Sequence, residues 1–242
     1  MKKISKLSFL LIPVFIATPL SAISCKKGDT EVKMDEATKS FYFELDANNK
    51  AIITGFARIQ FDQNNNLKPE FKNVVIPSKV TFKNNTYDVA AIGTEAFIKT
   101  SQIESVTIPA SVKFIGERAF MNCSKLKWIK FENFENSELD SILQNAFTNC
   151  NSLEEVQLPK KLLIVGEYAF SNIKNDKFKV TINSAYTNKD IKMAFGQYVF
   201  NNTNKNFQLI FKHLTKNSIE NADKIDNFAK SLGIQTSQIT FA

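Results

Sequence analysis

A short signature recurs along the chain and constrains its fold more than any other feature. AIGTEAF (Ala91–Phe97), FIGERAF (Phe114–Phe120), ILQNAF (Ile142–Phe147) and IVGEYAF (Ile164–Phe170) follow one another, and a degenerate FGQYVF ends at Phe200. The closing phenylalanines stand 23, 27, 23 and 30 residues apart. The segments after them repeat as well: MNCSKLKWIKF follows Phe120 and TNCNSLEEVQLP follows Phe147. Self-similarity at this period is the mark of a stacked-repeat architecture, in which one unit cannot bury its own apolar face.

Counting from each phenylalanine shows which positions face inward. Nine and eleven residues on lie Val106/Ile108, Ile129/Phe131, Val156/Leu158 and Leu209/Phe211, with the fourth pair slipped by one to Val180/Ile182. A spacing of two is that of a strand with one buried face. Ile103, Leu126 and Leu153 supply a second buried position. Pro77, Pro109 and Pro159 end three of the strands, because proline cannot donate to a continuing ladder. Gly93, Gly116, Gly166 and Gly196 precede each phenylalanine by four residues, where a sharp turn is expected to enter a short helical turn. The small Ala96, Ala119, Ala146 and Ala169 permit close stacking of coils. The expected fold is therefore mainly β with short helical turns, a solenoid with phenylalanines as its spine, which accounts for 22 Phe beside only 7 Gly.

The repeated pattern V-x-I-P-x-x-V-x-x-I-G-x-x-A-F-x-x-C-x-x-L resembles the BspA-like class of bacterial leucine-rich repeats. The resemblance implies a leucine-rich-repeat solenoid of about five units over residues 74–212. The unit ending at Phe147 departs from the pattern, with a four-residue insertion and Leu143 where glycine belongs. After Phe170 the Asn-Cys and Pro signals fade, so the array is expected to decay there.

Terminal repeats need caps. Residues 39–73 read as an N-terminal capping hairpin, with Phe41 to Leu45 and Ala51 to Phe56 as strands about a turn at Asp46 to Lys50. Residues 213–242 read as a C-terminal helical cap. Asn217 and Glu220 resemble a capping box there, and Ile219, Ala222, Ile225, Phe228, Ala229 and Leu232 form an apolar stripe. Gly233 stands at the C-cap, and Ser237 to Phe241 is a candidate final strand.

Residues 1–24 show lysines, an apolar run broken by Pro13 and Pro19, and small residues, the pattern of a secretory signal peptide. Ala22-Ile23-Ser24-Cys25 resembles the lipobox of bacterial lipoproteins, and the leader resembles those of mycoplasma-type lipoproteins. That resemblance implies acylation of Cys25, with palmitate-like chains, and an anchor on the extracellular face of the cell membrane. Two acyl chains suffice for stable anchoring where one does not. Residues 25–38 then read as a polar tether. Loss of Lys2, Lys3 and Lys6 with the leader reduces the formal charge from +7 to +4. That is too mild a balance to argue for nucleic acid.

Chemistry-bearing constellations are scarce. The single His213 excludes a histidine metal cage, and it lies in a polar stretch where a surface position is expected. No cofactor or metal is expected, and no nucleophile–base pair stands at a usable spacing, so the chain is read as non-catalytic. Cys123 and Cys150 occupy equivalent positions one coil apart, within reach of a disulfide. Stacked side chains point the same way, however, which favours buried free thiols. Asn122 and Asn149 read as turn residues bonding backbone carbonyls. The insertion bearing Glu132, Glu135, Glu138 and Asp140 reads as a solvated loop.

The outward positions of the main strands form the candidate ligand-binding face: Ser105, Thr107, Trp128, Lys130, Glu155, Gln157, Lys179 and Thr181. Solenoids bind partners on such extended faces, and tryptophan is enriched at binding hot spots. The alternative for Trp128 is that it merely covers neighbouring strands. The expected partners are the membrane, through Cys25, and an extracellular or host protein. Family resemblance suggests an adhesin-like role toward host cells or matrix. A coat protein without a specific ligand is the alternative, and a solute-binding lipoprotein fits a phenylalanine-filled core less well.

Overall fold

The computed structural model describes residues 32–183, 194–212 and 222–242. Strands β1 (Lys33–Met34), β2 (Phe41–Leu45) and β3 (Ala51–Phe56) pair antiparallel at the N-terminal end. After β4 (Asn73–Val75) comes a hairpin of β5 (Lys79–Phe82) and the long β6 (Asn85–Ile92). It turns at Lys83 and Asn84, both left-handed at φ 50° and 62°, as tight hairpins of right-twisted strands require. This second hairpin interrupts the first repeat after Pro77, and only the end of β6, Ala91-Ile92, carries the repeat signature and joins β8 in register.

From β7 (Ser105–Ile108) onward each coil pairs a four-residue strand with a two-residue one. These are β7 with β8 (Phe114–Ile115), β9 (Trp128–Phe131) with β10 (Ser141–Ile142), β11 (Glu155–Leu158) with β12 (Ile164–Val165), and β13 (Lys179–Ile182) with β14 (Ala194–Phe195). β15 (Gln208–Phe211), helix α1 (Ala222–Leu232) and β16 (Ile239–Phe241) close the array. The longer strands form one parallel sheet in the order β4-β7-β9-β11-β13-β15-β16. The short ones extend the capping strands into a nine-stranded sheet, β1-β2-β3-β6-β8-β10-β12-β14, with β5 on β6. Parallel pairing keeps strict register along the solenoid, and every inward pair read from the sequence falls on a strand; all but the half-buried Phe131 are buried. The slip at Val180/Ile182 is absorbed in the loop before β13, because Val180 still opposes Val156 and Leu209. Among the described residues the weakening of the signature after Phe170 therefore leaves the register of β11, β13 and β15 intact.

The phenylalanine spine is continuous. Phe97, Phe120, Phe147, Phe170 and Phe200 stack at centroid separations of 5.1, 5.2, 5.2 and 6.0 Å with their rings within 18° of parallel. Phe56 of the cap closes one end edge-on at 5.0 Å from Phe97, and Phe207 closes the other at 4.9 Å from Phe200. Offset stacking of this kind adds about 0.5–1.5 kcal/mol per pair to the burial of the rings.

The glycines serve a different purpose from the turn expected of them. None of Gly93, Gly116, Gly166 or Gly196 has positive φ. A Cβ at Gly116 would lie 2.5 Å from the carbonyl carbon of Gly93, at Gly166 2.5 Å from the amide of Gln144, and at Gly196 2.4 Å from that of Glu167. They are needed because successive coils touch backbone to backbone here. The left-handed position falls two residues later, on Glu95, Arg118, Asn145, Tyr168 and Tyr198. These residues keep the turns from winding into a helix, so backbone donors alternate. Ala119 N–H bonds Gly116 O within its own turn, while Arg118 and Phe120 donate to Gln144 and Ala146 of the next coil.

Helix α1 caps the last coil by the same device. Tyr198 and Phe200 donate to the carbonyls of Ser231 and Leu232, satisfying acceptors that a helix C-terminus leaves open. Ile225, Phe228, Ala229 and Leu232 are buried, and Gly233 takes φ 78° at the C-cap. The final strand is shorter than expected, Ile239–Phe241, and joins β15 in parallel. The capping box at Asn217 and Glu220, Ile219 and His213 lie outside the described residues, as do the side chain of Ala222, the leader and Cys25.

The tether is shorter than its sequence suggests. Residues 33–38 belong to the folded body, because β1 pairs with β2 and Asp35 is fully buried. The Asp35 carboxylate accepts the amides of Ala37, Thr38 and Thr81 and the Thr38 hydroxyl, fastening the N-terminal segment to β5. A polar run conceals this, since one buried carboxylate with four donors does the work of an apolar contact.

Candidate functional site: the outer faces of the sheets

Register determines which outward side chains are neighbours. On the seven-stranded sheet one row runs Asn73, Ser105, Trp128, Glu155, Lys179 and Gln208. A second contains Val75, Thr107 and Lys130 at one end and Gln157, Thr181 and Ile210 at the other. Six of the eight expected face residues are at least partly accessible: Trp128, Lys130 and Gln157 are exposed, and Thr107, Glu155 and Lys179 are half-buried.

Two are not part of an accessible face. Ser105 is buried and donates its hydroxyl to Asn73 Oδ1 at 2.7 Å, so its polar group is consumed by the neighbouring strand. Thr181 is 3% exposed, a small side chain set between the longer Gln157 and Ile210 on the flanking strands. Alternation alone places both outward. Their burial depends on residues more than twenty positions away in sequence.

Trp128 is 43% exposed at the middle of its row, with the Lys127 ammonium 5.5 Å from the ring centroid. Beside it Glu155 pairs with Lys179 at 3.0 Å, a solvent-exposed bridge that orders the row and contributes little stability. The ladder between β9 and β11 holds only at Trp128–Glu155, whereas β7–β9 and β11–β13 each hold at four positions. The inserted segment leaves from the end of β9. It is tied down rather than loose, since Glu135 and Glu138 pair with Lys160 and Lys161 of the next coil. The Lys161 hydrogen bond and charge hold the Glu138 carboxyl below the usual carboxylate range.

The model for the BspA type leucine-rich repeat region matches residues 90–222 with six copies. The chain belongs to this family. The six copies compare with about five units read from the signature. No curated protein matches the sequence. Among solved structures, a leucine-rich repeat protein from Bacteroides capillosus is 28% identical over 57% of this chain and 88% of its own, with a TM-score of 0.45. The Treponema pallidum (T. pallidum) leucine-rich repeat protein is 24% identical over 74% of this chain and 71% of its own, with a TM-score of 0.54. The pneumococcal vaccine antigen PcpA is 23% identical over 76% of this chain at TM-score 0.54, and only 47% of that chain is covered. These last two likenesses establish a shared fold.

The repeat corner of this BspA-type chain has its own chemistry. Cys123 and Cys150 are buried free thiols, each donating to a carbonyl of the preceding coil, Phe97 O and Phe120 O, at 3.2 Å. Burial pushes the Cys123 thiol up to about 12 and Cys150 well above its ordinary value. Neither is a nucleophile at neutral pH. Asn122 and Asn149 are turn residues, left-handed at φ 65° and 64°. Their main-chain N–H groups donate to the carbonyls of Thr148 and Ser171, while the side chains bond each other: Asn149 Nδ2 donates to Asn122 Oδ1 at 2.7 Å, and Asn202 does the same to Asn172 at 2.6 Å. This column is structural.

Sequence reasoning missed a groove across the nine-stranded sheet. It encloses about 880 Å³ between the cap turn at Asp46 to Lys50 and the segment at Glu138 to Asp140. No signal along the chain joins these walls, because they are brought together only by stacking. Among the described residues, no group of His, Cys, Asp or Glu could hold a metal ion, and no helix is long and apolar enough to cross a membrane.

Proposed function

We propose that this chain is a non-catalytic, surface-exposed lipoprotein whose seven-stranded sheet binds an extracellular protein or matrix component in an adhesin-like way. The observation that carries this reading is Trp128, a large aromatic left 43% exposed in the centre of an ordered row. Leaving this part of the indole in water forgoes about 1 kcal/mol of burial, and a partner would recover it. Lys130 and Gln157 flank it with donors and acceptors, and the Glu155–Lys179 pair adds charge for orientation.

In this reading Cys25 carries the acyl chains that hold the protein on the outer face of the membrane. Metabolic labelling with palmitate is expected to mark the wild-type chain and leave Cys25→Ser unlabelled. Binding of the protein to a panel of host-cell and matrix components tests the face. Retention by at least one component, with a loss of about tenfold or more on Trp128→Ala, is the expected result. No retention by any component, or retention indifferent to Trp128, Lys130 and Gln157 together, would leave a coat protein without specific ligand as the better account.

A further inference from the structure

The groove on the opposite, nine-stranded sheet has features of a second and independent binding site. Register places Phe114, Ser141 and Ile164 in one outward row. Phe114 and Ile164 remain partly exposed while Ser141 between them is 3% exposed, so two large apolar side chains flank a notch floored by a small one. Leu163, 36% exposed, widens the apolar floor on the C-terminal side. The groove crosses from β3 to β12, four inter-strand steps or about 19 Å, which is the length of five or six extended residues. Its volume of about 880 Å³ falls in the range of sites that hold ligands.

Charge decides what fits. Five carboxylates line the groove against two lysines, Lys50 and Lys113. Three of these carboxylates already have cations: Asp88 meets Lys50 and Lys79, Glu117 meets Arg118, and Glu138 meets Lys161. Asp46 is tied into its turn by the amides of Asn48 and Lys50. Asp140 is different. It is half-buried beside the notch, its one side-chain bond comes from the Ser141 hydroxyl at 2.7 Å, and it meets no cation within ion-pair distance among the described residues. A partly buried carboxylate with a single side-chain hydrogen bond has acceptor positions left for a cation brought by a ligand.

We propose that this groove binds an extended cationic peptide segment, seating an apolar side chain in the Ser141 notch between Phe114 and Ile164 and placing a neighbouring lysine or arginine on Asp140. The cap turn and the inserted segment form the walls, so the site exists only where the irregular parts of the chain meet the repeats. It is separate from the Trp128 face and does not depend on that face having a ligand.

Fluorescence anisotropy of labelled six-residue peptides against the full chain tests the proposal. The probes are a peptide alternating lysine and phenylalanine, one with glutamate replacing lysine, and one with serine replacing phenylalanine. Saturable binding of the first alone is expected, weakened about tenfold by Asp140→Asn and similarly by Leu163→Ser, the size of one charge-assisted or apolar contact. Trp128→Ala should leave this affinity unchanged, and unfolding midpoints of all three variants close to wild type would show that the fold is intact. Equal binding of all three peptides, no binding of the first, an affinity indifferent to Asp140 and Leu163, or a loss confined to Trp128→Ala would each overturn it.

Discussion

The two sheets grow from the same repeat and present opposite surfaces. The seven-stranded sheet uses four-residue strands, so each coil contributes two outward positions, and these are mostly polar with Trp128 standing among them. Within the repeats the nine-stranded sheet uses two-residue strands, β8, β10, β12 and β14, and its outward row is apolar, notched at Ser141 and walled by segments outside the repeat. Both share one core and one phenylalanine spine. Regularity thus supplies stability to both faces equally, and departures from regularity give each face its character: one tryptophan on the first, a serine between two large residues and an acidic insertion on the second.

The sharpest way to break the comparison is to break what the sheets share. Phe147 is 1% exposed and stacks on rings at 5.2 Å on either side. Phe147→Ala is expected to cost about 3–5 kcal/mol and to lower the thermal unfolding midpoint of the whole array in a single transition. Retention of one sheet's hydrogen-exchange protection while the other is lost would show that the two faces fold separately.

Asp35→Ala should separate the two by proximity to the N-terminal cap. It strands the amides of Ala37, Thr38 and Thr81, at a cost of about 1–3 kcal/mol. Hydrogen exchange is expected to quicken in β1, β2 and β5 while β9 to β13 keep their protection. A uniform loss along the chain would count against the cap as a local lock.

The thiol column tests the coil contacts through pH. Burial raises Cys123 in the folded state to about 12 from an ordinary 9.0. The unfolded thiol ionises first, so the stability due to the neutral buried group is intact below pH 9.0 and is lost as pH rises toward about 12. Cys123→Ala is expected to flatten the fall in stability over that window, measured by denaturant unfolding against wild type. Both thiols should resist aromatic disulfide reagents at pH 8 until the chain is unfolded. The smallest effect on stability belongs to Trp128→Ala, expected to cost about 1 kcal/mol because much of the side chain is in water already. A larger loss would mean that Trp128 covers its neighbours rather than waiting for a partner.

Much of this architecture is readable along the chain because its causes are local. Alternation of period two assigns Val106, Ile108, Val156 and Leu158 inward, and the recurring phenylalanines announce the spine before any coil is stacked. The helical stripe with Gly233 at its end identifies the C-terminal cap for the same reason. What stacking decided lies between residues more than twenty positions apart. Ser105 and Thr181 are outward by period yet buried by the neighbours that register gives them. The glycines are required by the approach of the preceding coil and not by their own torsions, and Asp35 folds in because Thr81 is there to donate to it. The groove has no sequence signature at all. A surface is a property of adjacent strands, and adjacency in a solenoid follows from tertiary stacking, which the order of residues constrains only through the spine.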